Sequence, residues 1–378
     1  MARRSGKLVD HLVYPEVVAL SEDVEAIRND LHRIEFFQHG ATIRGNELQV
    51  LRRWNSHTPM LHFSHGGGYL LRWRGKGTVI DPGVTFLDVF QRPHPVEQMK
   101  PHRMDDIDLM LVTHDHVDHC EDLGMLLVFL RDYNKWRKDK HKLPRTLDLV
   151  QSIGAHFRSV ILLDNAENRK SVHAIDVPPP RPEREQTTHD PLDLKAYNMD
   201  LEEFSADHTE VLGCKSALGF RMRLHNKAGG TFVYCDTGDT SYNSNLTEEY
   251  RNADLLLLHV GTMEDVKKEP NGRGEHLCFS GVVKILKDLK RHGMPKLVLL
   301  GEWGEEFRGP GYRQRFADLV REIAGYHGPV LPADLGMRIQ LDDRCRVMCR
   351  RGKKDKQWTA PEDVVVFDWG QWIEYHVS

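Results

Sequence analysis

The sequence predicts an α/β fold whose functional site lies where strands end. Three observations predict it. Four short apolar runs, Asp108–Val112, Thr231–Cys235, Leu255–Leu258 and Lys296–Leu300, have the length of buried strands. Elsewhere the apolar residues recur at helical spacing, as in Leu123, Leu126, Leu127 and Leu130, and later Val282, Val283, Ile285, Leu286 and Leu289. Directly after the first apolar run comes Thr113-His114-Asp115-His116-Val117-Asp118-His119, with three histidines and two aspartates in seven residues.

That cluster sits on the turn between a strand end and a helix start, where both elements hold it rigidly. Alternate residues of an extended turn face the same way, so His114 and His116 can share one metal. Asp118 and His119 fall further on and can hold a second metal beside it. Neutral imidazole and carboxylate are ordinary ligands of zinc and its neighbours. The bland alternative, a polar loop rich in histidine, does not require this order next to a buried strand. The H-x-H-x-D-H pattern resembles the signature of the metallo-β-lactamase fold hydrolases. The resemblance implies a four-layer αβ/βα sandwich: two mixed sheets face to face, helices on both outer faces, and metals at one edge.

Composition narrows the partners. The chain has 378 residues and a formal net charge of -4, so no global basic field draws it to nucleic acid or a membrane. No apolar run has membrane-spanning length, and the basic N-terminus lacks the apolar core of a signal peptide, because Asp10, His11, Pro15 and Glu16 interrupt it. Six cysteines are scattered, and Cys345 and Cys349 are wrongly spaced for a C-x-x-C clip. A reduced, cytoplasmic protein is expected.

In chain order, residues 15–37 read as a helix, with Ser21 as a cap and Val24, Ile27, Leu31 and Ile34 as its apolar stripe. Residues 47–53 and 60–63 alternate enough for strands. His65-Gly66-Gly67-Gly68 precedes a strand rather than a helix, so a tight corner is favoured over a phosphate cradle. The strand Thr78–Ile80 ends in Asp81, which matches the aspartate that orients metal ligands in the family; a simple turn aspartate is the alternative. The run from Arg131 to Lys142 is basic, with Tyr133 and Trp136 among the charges. It reads as the solvated end of a helix more readily than as a nucleic-acid patch. Pro178 to Pro191 is a surface loop.

The resemblance also implies the remaining ligands. His208, after the strand-like Leu201–Ser205, matches the third ligand of the first metal. A bridging aspartate is expected after Thr231–Cys235, and two candidates exist. Asp239, in Gly238-Asp239-Thr240, is favoured over Asp236. His259 and His276 both fall where the rim of such a site would lie; His276 is the stronger candidate for touching substrate. The glutamate that the RNA-processing branch places after the first of these is missing. Where the family ends its next strand in a metal-binding histidine, this chain has Glu302. Val330 to Ile339 resembles the family's closing segment.

The domain expected is therefore 59–341, with 1–58 as a helical and strand extension and 342–378 as a C-terminal extension packed on it. The expected activity is hydrolysis by a metal-activated water, with Asp118 and His276 as catalytic groups. The expected metal ligands are His114, His116, His208, Asp118, His119, Asp239 and Glu302. Zinc, as one or two ions, is the expected cofactor, with manganese or iron as options for the more oxygen-rich second set. A phosphodiester, from a nucleic acid or a small molecule, is the favoured substrate, with no membrane partner and a homo-oligomer left open. The alternatives are a lactone, amide or thioester hydrolase, or a metal-stabilised binding protein whose site has decayed at Glu302.

Overall fold

The computed structural model describes residues 45–52, 54–55, 67–91, 101–165, 168–177, 192–211, 213, 215–263, 276–308, 311–341, 346–348, 357–359 and 365–367. The helix expected at 15–37, the strand at 60–63, the loop at 178–191 and most of the C-terminal tail lie outside them.

Two large sheets carry the fold. The first has eight strands in the order β15-β14-β1-β2-β3-β4-β5-β6. It comprises β1 (Glu47–Val50), β2 (Tyr69–Trp73), β3 (Lys76–Ile80), β4 (Leu109–Val112), β5 (Leu147–Ser152) and β6 (Val172–Val177), with β14 (Arg338–Gln340) and β15 (Arg346–Met348). The second has seven strands in the order β13-β12-β11-β10-β9-β8-β7. It comprises β7 (Leu192–Leu194), β8 (Met199–Ser205), β9 (Leu218–His225), β10 (Thr231–Asp236), β11 (Leu255–His259), β12 (Leu297–Gly301) and β13 (Val330–Pro332). A small separate ribbon pairs β16 (Gln357–Thr359) with β17 (Val365–Phe367). The principal helices are α1 (Phe86–Gln91), α2 (Val117–Cys120), α3 (Leu123–Asp139), α4 (Ile153–Leu163), α5 (Asn168–Ser171), α6 (Leu246–Tyr250), α7 (Phe279–His292) and α8 (Tyr312–Ala324).

The period of two along a strand explains the layers. In β11 and β12, Leu255, Leu257, Leu297 and Leu299 join the core shared with the first sheet. Their neighbours Leu256, Leu258, Val298 and Leu300 pack with Val282, Ile285 and Leu286 of α7 and Phe316 and Val320 of α8. Both faces are buried, which is why these strands are unbroken apolar runs. The architecture is the mixed α/β sandwich that the sequence predicts.

Topology sets the site. β3, β4 and β5 run parallel, as do β10, β11, β12 and β13. Their carboxyl ends therefore collect at one edge of each sheet, the usual place for a site in such sheets. The Leu218 amide donates to the Thr113 carbonyl at 3.1 Å, tying the two sheets together at that edge. β1 is not an outlying extension: it lies inside the first sheet, paired with β14 on one side and β2 on the other. A chain cut at residue 58 would remove a central strand.

Candidate metal centre

The turn after β4 delivers the histidines. His114 follows the strand directly, and His116 precedes α2 in extended backbone (φ -67°, ψ 150°). Asp118 and His119 lie within α2. Gly83 makes this turn fit, because a Cβ there would come within 1.7 Å of the Asp118 carbonyl oxygen.

Two groups of side chains converge on Asp239. The first is His114, His116, His208 and Asp239; the second is His119, Asp239, His259 and Glu302. In each, the candidate ligand atoms lie within 4.8 Å of one another. In the first group His208 Nε2 is 3.1 Å from His116 Nδ1, and Asp239 Oδ2 is 3.7 Å from His114 Nε2 and 4.0 Å from His208 Nε2. Four ligands placed tetrahedrally at zinc bond lengths stand about 3.3 Å apart, so this set fits a cation. In the second group His119 Nε2 is 3.5 Å from Asp239 Oδ2 and 2.9 Å from Glu302 Oε1. His259 Nδ1 is 3.0 Å from Asp239 Oδ1 and in close contact with Glu302 Oε2. Among the described residues, His114 Nε2 and His119 Nε2 make no well-aligned hydrogen bond, although both are buried. Such orphaned atoms facing carboxylates suit a bound cation.

Supporting carboxylates fix the imidazoles. His119 Nδ1 lies 2.8 Å from Asp81 Oδ2, which leaves Nε2 aimed at the second group. Asp81 also accepts from the Thr113 amide and hydroxyl, at 2.7 and 2.8 Å. It holds a left-handed backbone, with φ 49°, a strained conformation of the kind that clusters at functional sites. Asp236 does the same for His259: its Oδ1 is 3.1 Å from His259 Nε2, and its Oδ2 accepts from the Tyr234 hydroxyl at 2.9 Å. Hence Asp236 stands behind His259, while Asp239 faces both groups. A carboxylate behind a ligating histidine fixes its tautomer and orientation.

Burial and neighbouring histidines hold His114 and His116 below the ordinary histidine range, keeping them as the neutral ligands a metal needs. Burial opposes charge on His119 and His259 too, but Glu302 beside both, together with Asp118 at His119 and Asp236 at His259, outweighs it and raises them well above that range. The second group therefore attracts positive charge. Burial would also raise Asp118, yet His119 and then Arg52 outweigh it and hold the carboxyl down at about 2.

The sequence-predicted residues are thus largely brought together, with two differences. His259 is in the second group, where the sequence suggested only a rim histidine. Asp118 is at its border: Oδ2 is 3.4 Å from His119 Nε2 but also 3.5 Å from Arg52 Nη2, which draws it aside. His276 lies at the open side, its side chain a quarter exposed, with Nδ1 3.5 Å from Asp239 Oδ2 and its ring 5.0 Å from that of His208. Gly261 leaves room for it, since a Cβ there would meet the His276 ring at 2.4 Å. The basic run takes the structural form: Tyr133 is buried and donates to Asp105, Trp136 stacks on Tyr133, Arg137 pairs with Asp105 and lies over the Tyr133 ring, and Lys142 lies over the Trp136 ring.

Residues 78–300 match the sequence profile of a family described as the beta-lactamase superfamily domain. The chain belongs to the metallo-β-lactamase superfamily. This is a superfamily of metal-dependent hydrolases. No curated protein sequence matches the chain. Solved structures match its fold along most of its length. The metallo-β-lactamase fold protein YhfI from Bacillus subtilis is 16% identical, with a TM-score of 0.53, and covers 78% of this chain and 99% of its own. Human tRNase Z, short form, is 15% identical with a TM-score of 0.52, covering 78% and 99%. Zn²⁺-bound PqqB from Methylobacterium extorquens is 13% identical with a TM-score of 0.52, covering 78% and 100%. At such identities the likeness is one of fold.

Proposed function

We propose that this member of the superfamily hydrolyses phosphodiesters with water, using two adjacent metal cations. The observation that carries the reading is that two ligand groups share one carboxylate, Asp239. In this reading His114, His116 and His208 would hold the first cation, His119, His259 and Glu302 would hold the second, and Asp239 belongs to both groups. Bound divalent cations lower the pKa of a water toward ~7 and neutralise charge on the attacking and leaving oxygens of a phosphodiester. The protein's own groups do the rest. Asp81 and Asp236 fix the histidine orientations. Asp118, anionic and buried next to the second group, orients the attacking water and takes its proton. His276, at the open side, donates to a phosphoryl oxygen or to the leaving group.

The nitrogen-rich first group suits zinc. With His259 present, the second group has two nitrogen and two carboxylate ligands. It is less oxygen-rich than a set built on Asp118 would be, so zinc fits there too, and manganese or iron gains less advantage. The basic run on α3 does not serve as a platform for nucleic acid in this reading, because its rings and several of its cations are already engaged. A small phosphodiester therefore fits better than a long polynucleotide. Among the described residues no helix is long and apolar enough to cross a membrane. Cys120 and Cys235 are free and buried, which suits a reduced cytoplasmic protein. The test is a panel of phosphodiester, lactone and thioester reporters on zinc-loaded protein. Turnover of the phosphodiesters is expected; turnover of lactone or thioester alone would transfer the reading to acyl hydrolysis.

A further inference from the structure

Arg52 lies immediately beyond β1 and is buried, with only 1% of its side chain exposed. Its place follows from the backbone. Trp54 bridges to Trp303, and the Asn55 amide donates to the Trp303 carbonyl at 3.1 Å, so Trp54 and Asn55 lie alongside the residue that follows Glu302. The guanidinium reaches two carboxylates at once. Nη1 is 2.5 Å from Glu302 Oε1, and Nη2 is 3.5 Å from Asp118 Oδ2 while also donating to the Asp118 carbonyl. The same two oxygens border the second metal group: Glu302 Oε1 is 2.9 Å and Asp118 Oδ2 3.4 Å from His119 Nε2.

A buried ion pair is seldom the cheapest source of stability, because desolvation cancels most of the attraction. What the rigid fork of an arginine supplies is geometry, two donors at fixed separation. Charge points the same way. Asp81, Asp118, Asp236, Asp239 and Glu302 are all buried around the two groups, and Arg52 is the cation that contacts two of them. These carboxylates outnumber the one guanidinium, an excess of negative charge that bound cations would offset.

We propose that Arg52 is a positioning residue of the second metal group, aiming Glu302 at its cation and holding Asp118 beside it. This rests on the reading that His119, Asp239, His259 and Glu302 hold a cation. Glu302 carries its carboxylate on a flexible stem, and Arg52 anchors it as Asp81 and Asp236 anchor the rings of His119 and His259. Removing partners that orient metal ligands typically lowers affinity about 10–100-fold.

The experiment titrates zinc into metal-free wild-type chain, Arg52→Met and Arg52→Lys, with a competing chromophoric chelator, and reads stoichiometry and both dissociation constants. Wild type should bind two zinc ions. Arg52→Met should bind the second about 10–100-fold more weakly with the first unchanged, which also shows that the fold survives. Arg52→Lys keeps the charge but loses the fork, so its second constant should fall between the two. Should the methionine variant fail to fold, the lysine variant decides. A second constant equal to or tighter than wild type, in either folded variant, overturns the role of Arg52 while leaving the two-cation reading intact. A wild type that binds a single zinc overturns both.

Discussion

Asp239 is the side chain common to both candidate metal groups, and Asp236, three residues earlier, stands behind only one of them. Their variants should differ accordingly. Asp239→Ala is expected to lose at least one metal per chain and to lower hydrolysis by orders of magnitude. Asp236→Asn should retain two metals at saturation, with the second bound about 10–100-fold more weakly. Plasma mass spectrometry and zinc titration of the two purified proteins check this, and the reverse pattern would exchange their roles. His114→Ala and His116→Ala should each abolish most activity while the fold survives; wild-type rates in either would remove the pair from the site. The seven-residue motif is legible in the sequence because all its side chains lie on one turn. His208, Asp239 and Glu302 are legible through resemblance, each following a strand. His259 is harder to read, being the last residue of an apolar strand, where a structural histidine looks the same. Arg52 carries no local signal, since a buried arginine and a surface one are written alike, and its partners are 66 and 250 residues away.

At the scale of elements, β8 shows how a strand can carry a charge inward. Glu203 lies on the same face as Met199 and Leu201, whose side chains are in the core. Burial, helped by Glu202 nearby, pushes its carboxyl up to about 7. In the unfolded chain a glutamate titrates near ~4.3. The folded state therefore holds the proton more tightly, and stability declines as pH rises from about 4.3 to about 7. Glu203→Gln should stabilise the chain at pH 8 and leave it nearly unchanged at pH 4. Urea midpoints at the two values measure this, and equal shifts at both would contradict it. The central strands β4, β11 and β12 are legible because both their faces are buried and their sequences are nearly unbroken apolar runs. β5 and β6 are not, because Asp148, Gln151, His173 and Asp176 interrupt them with side chains that find polar partners at the sheet margin. β1 is visible as a strand, but its central position is not. It is set by pairing with β14, almost three hundred residues later.

Across the whole molecule, the metal groups join the two sheets. His114, His116 and His119 follow β4 of the first sheet, whereas His208, Asp239, His259 and Glu302 come from strand ends of the second. Cations bound between them would act as a cross-sheet clamp, and their removal would leave buried carboxylates facing one another. A ligand at a hundredfold excess over its Kd stabilises a fold by about 2.7 kcal/mol per site. With two sites, about 5.4 kcal/mol together, stripping both metals should thus lower Tm by roughly 10–20 °C, given ~2–4 °C per kcal/mol for domains of moderate size. Calorimetry before and after dialysis against a chelator, with zinc added back, measures it. An unchanged Tm would mean that the groups do not hold cations in the native chain. The central claim, that two cations share Asp239, is tested most directly by anomalous diffraction at the zinc edge from crystals of the zinc-loaded protein. The account predicts two peaks about 3.5–4 Å apart, one among His114, His116 and His208 and the other among His119, His259 and Glu302, with Asp239 touching both. A single peak, or two that Asp239 does not join, would contradict it.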